Sequence, residues 1–285
     1  MSLEFSWNVL EVGKTRRDGG AYFGTVPRPE WMNFVAYGDK SAKNATQDAH
    51  VNRQNEIYLS CNVLLLQTDK DKVLVDVGPP LAHTFDFDFE TGNSKLRKVL
   101  KDHKLFAKDI TKVIVTSTDY DHMGGLTTYD RAGNLVLGLP NAQVFSFCGG
   151  GNRTRPSLIP DSEDAFALLE KKGKLQWVQP TQDYEVVPGV FMRSAPGPSQ
   201  RSAVVEVRRG ADRVMYLGDL CPSATHLNPA VITAYDDSPD DTYLNKMHWL
   251  DQAEKEGAVV IFPHGNDVKA GYLEVTKEGR RLRPV

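Results

Sequence analysis

Only three cysteines, Cys61, Cys148 and Cys221, occur in the 285 residues, and none stands in a C-x-x-C spacing. So odd and sparse a set argues against a disulfide framework. Cys61 and Cys221 lie in or beside apolar runs and read as reduced, partly buried thiols. No apolar run approaches the roughly 20 residues that cross a membrane. The segment Met1 to Arg17 has no apolar core of the signal-peptide kind. Basic blocks are missing too: 34 Lys and Arg face 37 Asp and Glu, both signs are spread along the chain, and the net charge is −3. Nothing in that distribution selects a nucleic acid or another polyanion. Arg280, Arg281 and Arg283 read as a solvated tail. Repeats and low-complexity linkers are likewise missing. The expectation is one soluble, cytoplasmic domain over residues 1–285, with no nucleic-acid or membrane partner, and a hydrophobic content of 40% suffices for its core. Nothing in the sequence sets an oligomeric state.

What is present is a series of short apolar runs bounded by turn residues, the pattern of β-strands. Ser60–Gln67 and Lys72–Val77 form one pair across the charged turn Thr68–Asp71. Lys112–Ser117, Gln143–Phe147, Leu175–Val178, Val190–Ser194, Ala203–Arg208, Arg213–Leu217, Ala258–Phe262 and Tyr272–Thr276 follow. Val and Ile dominate several of them, as in strands buried on both faces. Three stretches read as helices. Ser94–His103 carries Leu96, Val99 and Leu100 on one stripe, and Asp161–Lys172 carries Ala165, Leu168 and Leu169 before Gly173. The third runs from about Pro239 to Glu256. Ser238 suits its N-cap, Asp240 and Asp241 suit its dipole, Leu244, Met247, Leu250 and Ala253 mark a buried face, and Gly257 ends it. Two β-rich layers with helices outside accommodate this alternation and leave strand ends at one edge, where loops gather ligands.

The strongest chemical signal is Thr116-Ser117-Thr118-Asp119-Tyr120-Asp121-His122-Met123-Gly124-Gly125, which leaves the apolar strand Val113-Ile114-Val115. The glycines let the backbone turn close to whatever the acidic and imidazole side chains bind. By itself an Asp-His pair is most often a surface carboxylate beside a histidine. Two more strands end alike, one in Gly218-Asp219 and one in Pro263-His264-Gly265. Two imidazoles and two carboxylates suit Zn²⁺, Fe²⁺ or Mn²⁺. Gly149-Gly150-Gly151-Asn152-Arg153-Thr154 lacks the phosphate-loop pattern and reads as a flexible loop near the mouth of the site. His50, His83, His103 and His248 have no motif context and read as surface or helix-face residues.

Ordered over about residues 18–275, further motifs accompany these: Asp18-Gly19-Gly20-Ala21-Tyr22-Phe23-Gly24 with Val26-Pro27 and Trp31, Asn62-Val63-Leu64-Leu65-Leu66, Val73 to Gly78, Gly218-Asp219-Leu220 with His226-Leu227, and Ala234-Tyr235-Asp236 with Pro239. Together they resemble the metallo-β-lactamase superfamily, and within it the branch of N-acyl homoserine lactone lactonases and methyl parathion hydrolase. The resemblance implies a four-layer αββα sandwich. The signature of that family is T-H-x-H-x-D-H-x-G-G. Here Ser117 and Asp119 replace its leading histidines, while Asp121, His122, Gly124 and Gly125 match. In the turn Ala195-Pro196-Gly197-Pro198, Pro198 stands where the next histidine belongs; Asp219 and His264 match the last two ligands.

The losses are sorted. All three histidines of one metal position are gone, whereas Asp121, His122, Asp219 and His264, the ligands of the other, remain. The resemblance therefore implies one divalent ion, zinc first and iron or manganese as alternatives. It implies a small-molecule substrate with an ester or lactone bond, and Asp119 or Asp219 as proton acceptor. Asp119 takes the place at which flavodiiron proteins of the superfamily carry an acidic ligand. His226 and Tyr235 are candidate substrate contacts, with a local hydrogen-bonding role as the alternative for His226, and Asp76 is expected to orient a ligand imidazole. Two other functions stay open: a non-catalytic ligand-binding or sensor homologue, and an iron-dependent redox protein.

Overall fold

The computed structural model describes residues 5–36, 51, 54–80, 94–148, 161–181, 183–277 and 279–285. His50, His83 and the Gly149–Thr154 loop lie outside them. The first half carries strands β1 (Ser6–Asp18), β2 (Glu56–Gln67), β3 (Lys72–Val75), β4 (Lys112–Ile114), β5 (Thr127–Tyr129), β6 (Leu135–Leu137), β7 (Gln143–Phe147) and β8 (Leu175–Val178). The second carries β9 (Tyr184–Val187), β10 (Val190–Ser194), β11 (Ala203–Arg209), β12 (Asp212–Tyr216), β13 (Val259–Ile261), β14 (Ala270–Thr276) and β15 (Gly279–Pro284). The α-helices are α1 (Gly19–Phe23), α2 (Arg28–Ala36), α3 (Leu96–Asp102), α4 (Tyr120–Met123), α5 (Asp161–Lys171) and α6 (Pro239–Glu256).

Six strands form one sheet in the order β1-β2-β3-β4-β7-β8, and seven form a second in the order β15-β14-β13-β12-β11-β10-β9. Side chains alternate between faces along each strand. Leu64 and Leu66 of β2 meet Val205, Val207, Val214, Tyr216 and Ile261 of the second sheet in one apolar cluster. Val63 and Leu65 point the other way, toward Leu96 and Leu100 of α3 and Phe166 and Leu169 of α5. In the second sheet Met215 and Val260 face outward against Trp249, Leu250 and Ala253 of α6. The layers are thus helix, sheet, sheet, helix. Central strands buried on both faces explain the apolar run Val63–Leu66 of β2. No helix among the described residues is long and apolar enough to cross a membrane.

Three details depart from the sequence reading. The buried face of α6 carries Thr242, Lys246, Trp249, Leu250 and Ala253, while Leu244 is 64% exposed. Polar partners hold that face: the Lys246 ammonium donates to the Val231 carbonyl at 2.7 Å, and the Thr242 hydroxyl to Asp236 at 2.6 Å. Arg280, Arg281 and Arg283 are no loose tail; they lie in β15, paired along β14, with Arg280 bridging Asp251 and Glu254 of α6. Finally, β1 is a long strand paired to β2, with a register shift between Glu11 and Gly13. The extra residue, Val12, changes the parity of the strand, so Thr15 and Arg17 come out on the same face as Leu10. That shift aims Arg17 at the loop after β4.

Site-bearing turns follow the ends of β4, β12 and β13. Gly218 sits at φ +55, and a Cβ there would lie 2.8 Å from the Ala203 carbonyl oxygen and 3.2 Å from the Thr116 hydroxyl. Gly218→Ala should therefore lower the unfolding free energy by about 1–3 kcal/mol. Chemical denaturation reads this directly, and an unchanged midpoint would contradict the tight turn.

Candidate metal centre

Asp121 and His122 sit on α4, a single turn started by the Asp119 carbonyl, which accepts from the backbone N–H of His122 and of Met123 at 3.0 Å each. Both side chains are buried. The two glycines that follow allow the turn to press on the chain before it: a Cβ on Gly125 would meet the Val77 carbonyl at 2.7 Å, and Val77 N–H donates to the His122 carbonyl at 2.7 Å. Asp219 follows β12 and His264 follows β13.

These four side chains converge. His122 Nε2 lies 2.9 Å from Asp219 Oδ1 and 3.3 Å from His264 Nε2. His264 Nε2 lies 3.4 Å from Asp219 Oδ1 and 3.8 Å from Asp121 Oδ2. Ligand atoms of Asp121, His122 and His264 all fall within 4.8 Å of one another.

The far side of each imidazole is fixed. Asp76 Oδ2 accepts from His122 Nδ1 at 2.7 Å, and the Ser60 carbonyl, which can only accept, takes His264 Nδ1–H at 2.9 Å. Both rings therefore present Nε2 to the common centre. Asp76 is itself held by Thr116 N–H at 2.8 Å and Thr116 Oγ1 at 2.6 Å, with the Tyr216 hydroxyl at 3.0 Å. It adopts φ +60, a conformation that Asp and Asn tolerate better than most residues.

Charge follows from this packing. Burial opposes protonation of His122, but the Asp219 and Asp76 carboxylates outweigh it and hold its pKa well above the usual imidazole range. Burial would raise Asp219, yet His122 and His264 hold it well below the usual carboxylate range. Asp121 is also lowered against its burial, chiefly by Arg17. The Arg17 guanidinium donates to Asp121 Oδ2 at 2.6 Å and to the Tyr120 hydroxyl, which lies 2.9 Å from Thr15 Oγ1. Its carbon stands 4.8 Å from the centre of the Tyr120 ring and 5.9 Å from that of Tyr235.

Two imidazole nitrogens 3.3 Å apart, with carboxylates on both sides, fit a cation between them. Without one, the lone pairs repel unless a ring is protonated. Mixed N/O donors of this kind suit zinc, iron or manganese. At the positions that lack histidines, the buried Ser117 hydroxyl accepts from Asp119 N–H at 3.3 Å. Pro198 lies in a turn tied to the start of α6, where Asp237 N–H donates to its carbonyl at 3.2 Å and Ser238 N–H to that of Gly197 at 2.9 Å. Neither supplies a nitrogen ligand.

The chain matches the model of the metallo-β-lactamase superfamily over residues 58–265, well over half its length. It belongs to that superfamily. No curated protein matches it. Among solved structures, it is similar to a probable metal-dependent hydrolase from Staphylococcus aureus (23% identity, TM-score 0.77, 100% of this chain and 99% of that one covered). It is also similar to AidC, described as a dizinc quorum-quenching lactonase (20% identity, TM-score 0.76, 100% and 96% covered). A quorum-quenching N-acyl homoserine lactone lactonase aligns at 17% identity with a TM-score of 0.64, covering 93% of each chain.

The remaining site candidates of the superfamily pattern differ in placement. Asp119 is half-buried at the rim and contributes to the field on Arg17. Tyr235 is 41% exposed over Arg17. His226 is fully buried: its Nε2 meets the Tyr22 carbonyl at 3.0 Å, its Nδ1 meets Ser223 Oγ at 2.9 Å, and its ring stacks on Phe23. Burial pushes its pKa down to about 3. Both nitrogens serve protein partners, the geometry of the local hydrogen-bonding role. Arg17, Tyr120 and Ser60 escaped the sequence reading; the one signal was the place of Arg17 immediately before the Asp18-Gly19-Gly20 motif.

Because Asn also accepts the positive φ, Asp76→Asn tests the carboxylate apart from the backbone. It should weaken zinc binding by on the order of 10–100-fold, read by competition with a chromogenic chelator. Unaltered affinity would remove Asp76 from the metal centre.

Proposed function

We propose that this protein is a metal-dependent hydrolase of small ester- or lactone-like substrates, working with one divalent ion, zinc in the first instance, held by Asp121, His122, Asp219 and His264. The observation that carries the reading is the pair of imidazoles aimed at one point beside Asp219 and Asp121. The lactonase and hydrolase descriptions of similar structures support the substrate class.

When bound, such an ion supplies Lewis-acid polarisation of a carbonyl and acidifies water at neutral pH. Asp219, with its side chain 20% exposed, keeps a carboxylate within reach of a water at the centre and takes its proton as general base. Asp119, on the loop after β4 that carries Asp121 and His122, is the second acceptor. Tyr235 offers an exposed phenol ring where a substrate enters. Asp76 and Ser60 keep both imidazoles turned inward through the cycle.

The sensor reading is favoured by one observation: the 2.6 Å ion pair of Arg17 with Asp121 gives that buried carboxylate a partner with no metal bound. Elemental analysis of protein purified without added metal, followed by hydrolysis of acyl lactones and aryl esters before and after chelation, separates the two. The hydrolase reading expects about one equivalent of metal and turnover lost to the chelator and restored by zinc. Asp119→Asn should then lower metal affinity or turnover by on the order of 10–100-fold with an unchanged thermal midpoint of the metal-free protein. Protein that takes up no zinc and turns over no ester or lactone leaves the sensor reading.

A further inference from the structure

Within the signature Ser117 and Asp119 stand in place of histidines, and Pro198 stands in place of a third in a separate turn, so the loop after β4 carries a carboxylate where the family has a neutral nitrogen donor. A cation that meets the loop after β4 comes from elsewhere in the chain. Arg17 reaches it from the far end of β1, turned toward α4 by the bulge at Val12. Its guanidinium donates to Asp121 at 2.6 Å and to the Tyr120 hydroxyl, and it feels the charge of Asp119 as well. Thr15 shares the Tyr120 hydroxyl, and the Tyr120 and Tyr235 rings flank the guanidinium. Asp121 is 2% exposed at its side chain, so its charge is compensated inside the protein rather than by solvent.

We propose that Arg17 is the resident cation of the site: it takes over the charge role of the lost metal position and competes with the remaining divalent ion for Asp121. This rests on the single-metal reading above. Four carboxylates, Asp76, Asp119, Asp121 and Asp219, gather here, so one divalent ion alone leaves negative charge that a guanidinium offsets in part. A guanidinium stays charged throughout the physiological pH range, so this compensation is permanent, and a second divalent ion would meet a like charge at the loop.

The bland alternative is an ion pair that only fastens β1 to α4. Titrating metal-free wild type, Arg17→Met and Arg17→Lys with Mn²⁺, and following free Mn²⁺ by electron paramagnetic resonance, distinguishes them without any assay of turnover. Wild type should take one ion. Arg17→Met, with the competing charge gone, should bind about tenfold tighter or better, since a unit charge a few ångströms from a divalent ion is worth at least that. Arg17→Lys, which keeps the charge, should stay near wild type. Equal or weaker binding by Arg17→Met overturns the proposal, as do two tightly held ions in wild type, a result that needs no variant to fold. Metal uptake by Arg17→Met alone supports Arg17 as the competing cation while removing the metal-dependent reading of the natural protein. No uptake by any of the three removes both.

Discussion

The carboxylate of Asp76 is the constraint on which the site depends. It lies 1% exposed between the two sheets and receives Thr116 N–H, the Thr116 hydroxyl and His122 Nδ1, with the Tyr216 hydroxyl against it. A buried carboxylate without such partners costs several kcal/mol. The fold meets that cost by drawing the end of β3, the end of β4, the single turn of α4 and the last residue of β12 to one point. His122 is thereby held in orientation before any ligand arrives.

A second polar tie does the same for His264. Ser60 takes its Nδ1–H, and Asn62 donates to the carbonyls of Phe262 and Gly265 at 3.2 and 2.7 Å, while Asn62 N–H reaches the Pro263 carbonyl at 2.7 Å. These contacts join β2 of one sheet to the turn after β13 of the other. The apolar layer between the sheets therefore ends in polar bonds at the edge where Asp121, His122, Asp219 and His264 gather. Apolar packing fixes the sheet separation, and directional bonds fix the imidazoles. A shift between the sheets would move His122 and His264 relative to each other, because each answers to a different pair of strands.

Much of this was legible in the sequence because strand ends and ligand types coincide. Val-Ile-Val before the Asp121 loop, Tyr216-Leu217 before Asp219 and Val260-Ile261-Phe262 before His264 announced both the strand and what it delivers. The inner strands β7 and β11 matched apolar runs because burial on both faces leaves little other signal. Where the reading fell short, polar residues carried the structure. The segment Glu11-Val12-Gly13-Lys14-Thr15-Arg16-Arg17 hid β1, since a bulge breaks its alternation and its charges resemble a loop. On α6, apolarity pointed to Leu244, while Lys246 and Thr242 took the inner face by finding carbonyl and carboxylate partners. His226 shows a related limit. A histidine embedded in a family motif can equally touch a ligand or brace the wall behind it, and only its two hydrogen bonds distinguish the cases.

Asp219 and Asp121 illustrate how one centre can hold two kinds of compensation. Both are buried enough that ionisation is opposed, and both are nonetheless held ionised, Asp219 by the imidazoles and Asp121 chiefly by Arg17. On the proposed metal reading, a divalent ion entering between them would meet two competitors of different nature. On the Asp219 side it would displace a proton from imidazole, so its affinity there would weaken as pH falls. On the Asp121 side it shares a carboxylate with a guanidinium that does not titrate, so that part of the competition is independent of pH. The loop after β4 carries Asp119 and Asp121, and the strand register of β1 brings to it a guanidinium that stays charged whatever the metal supply or acidity.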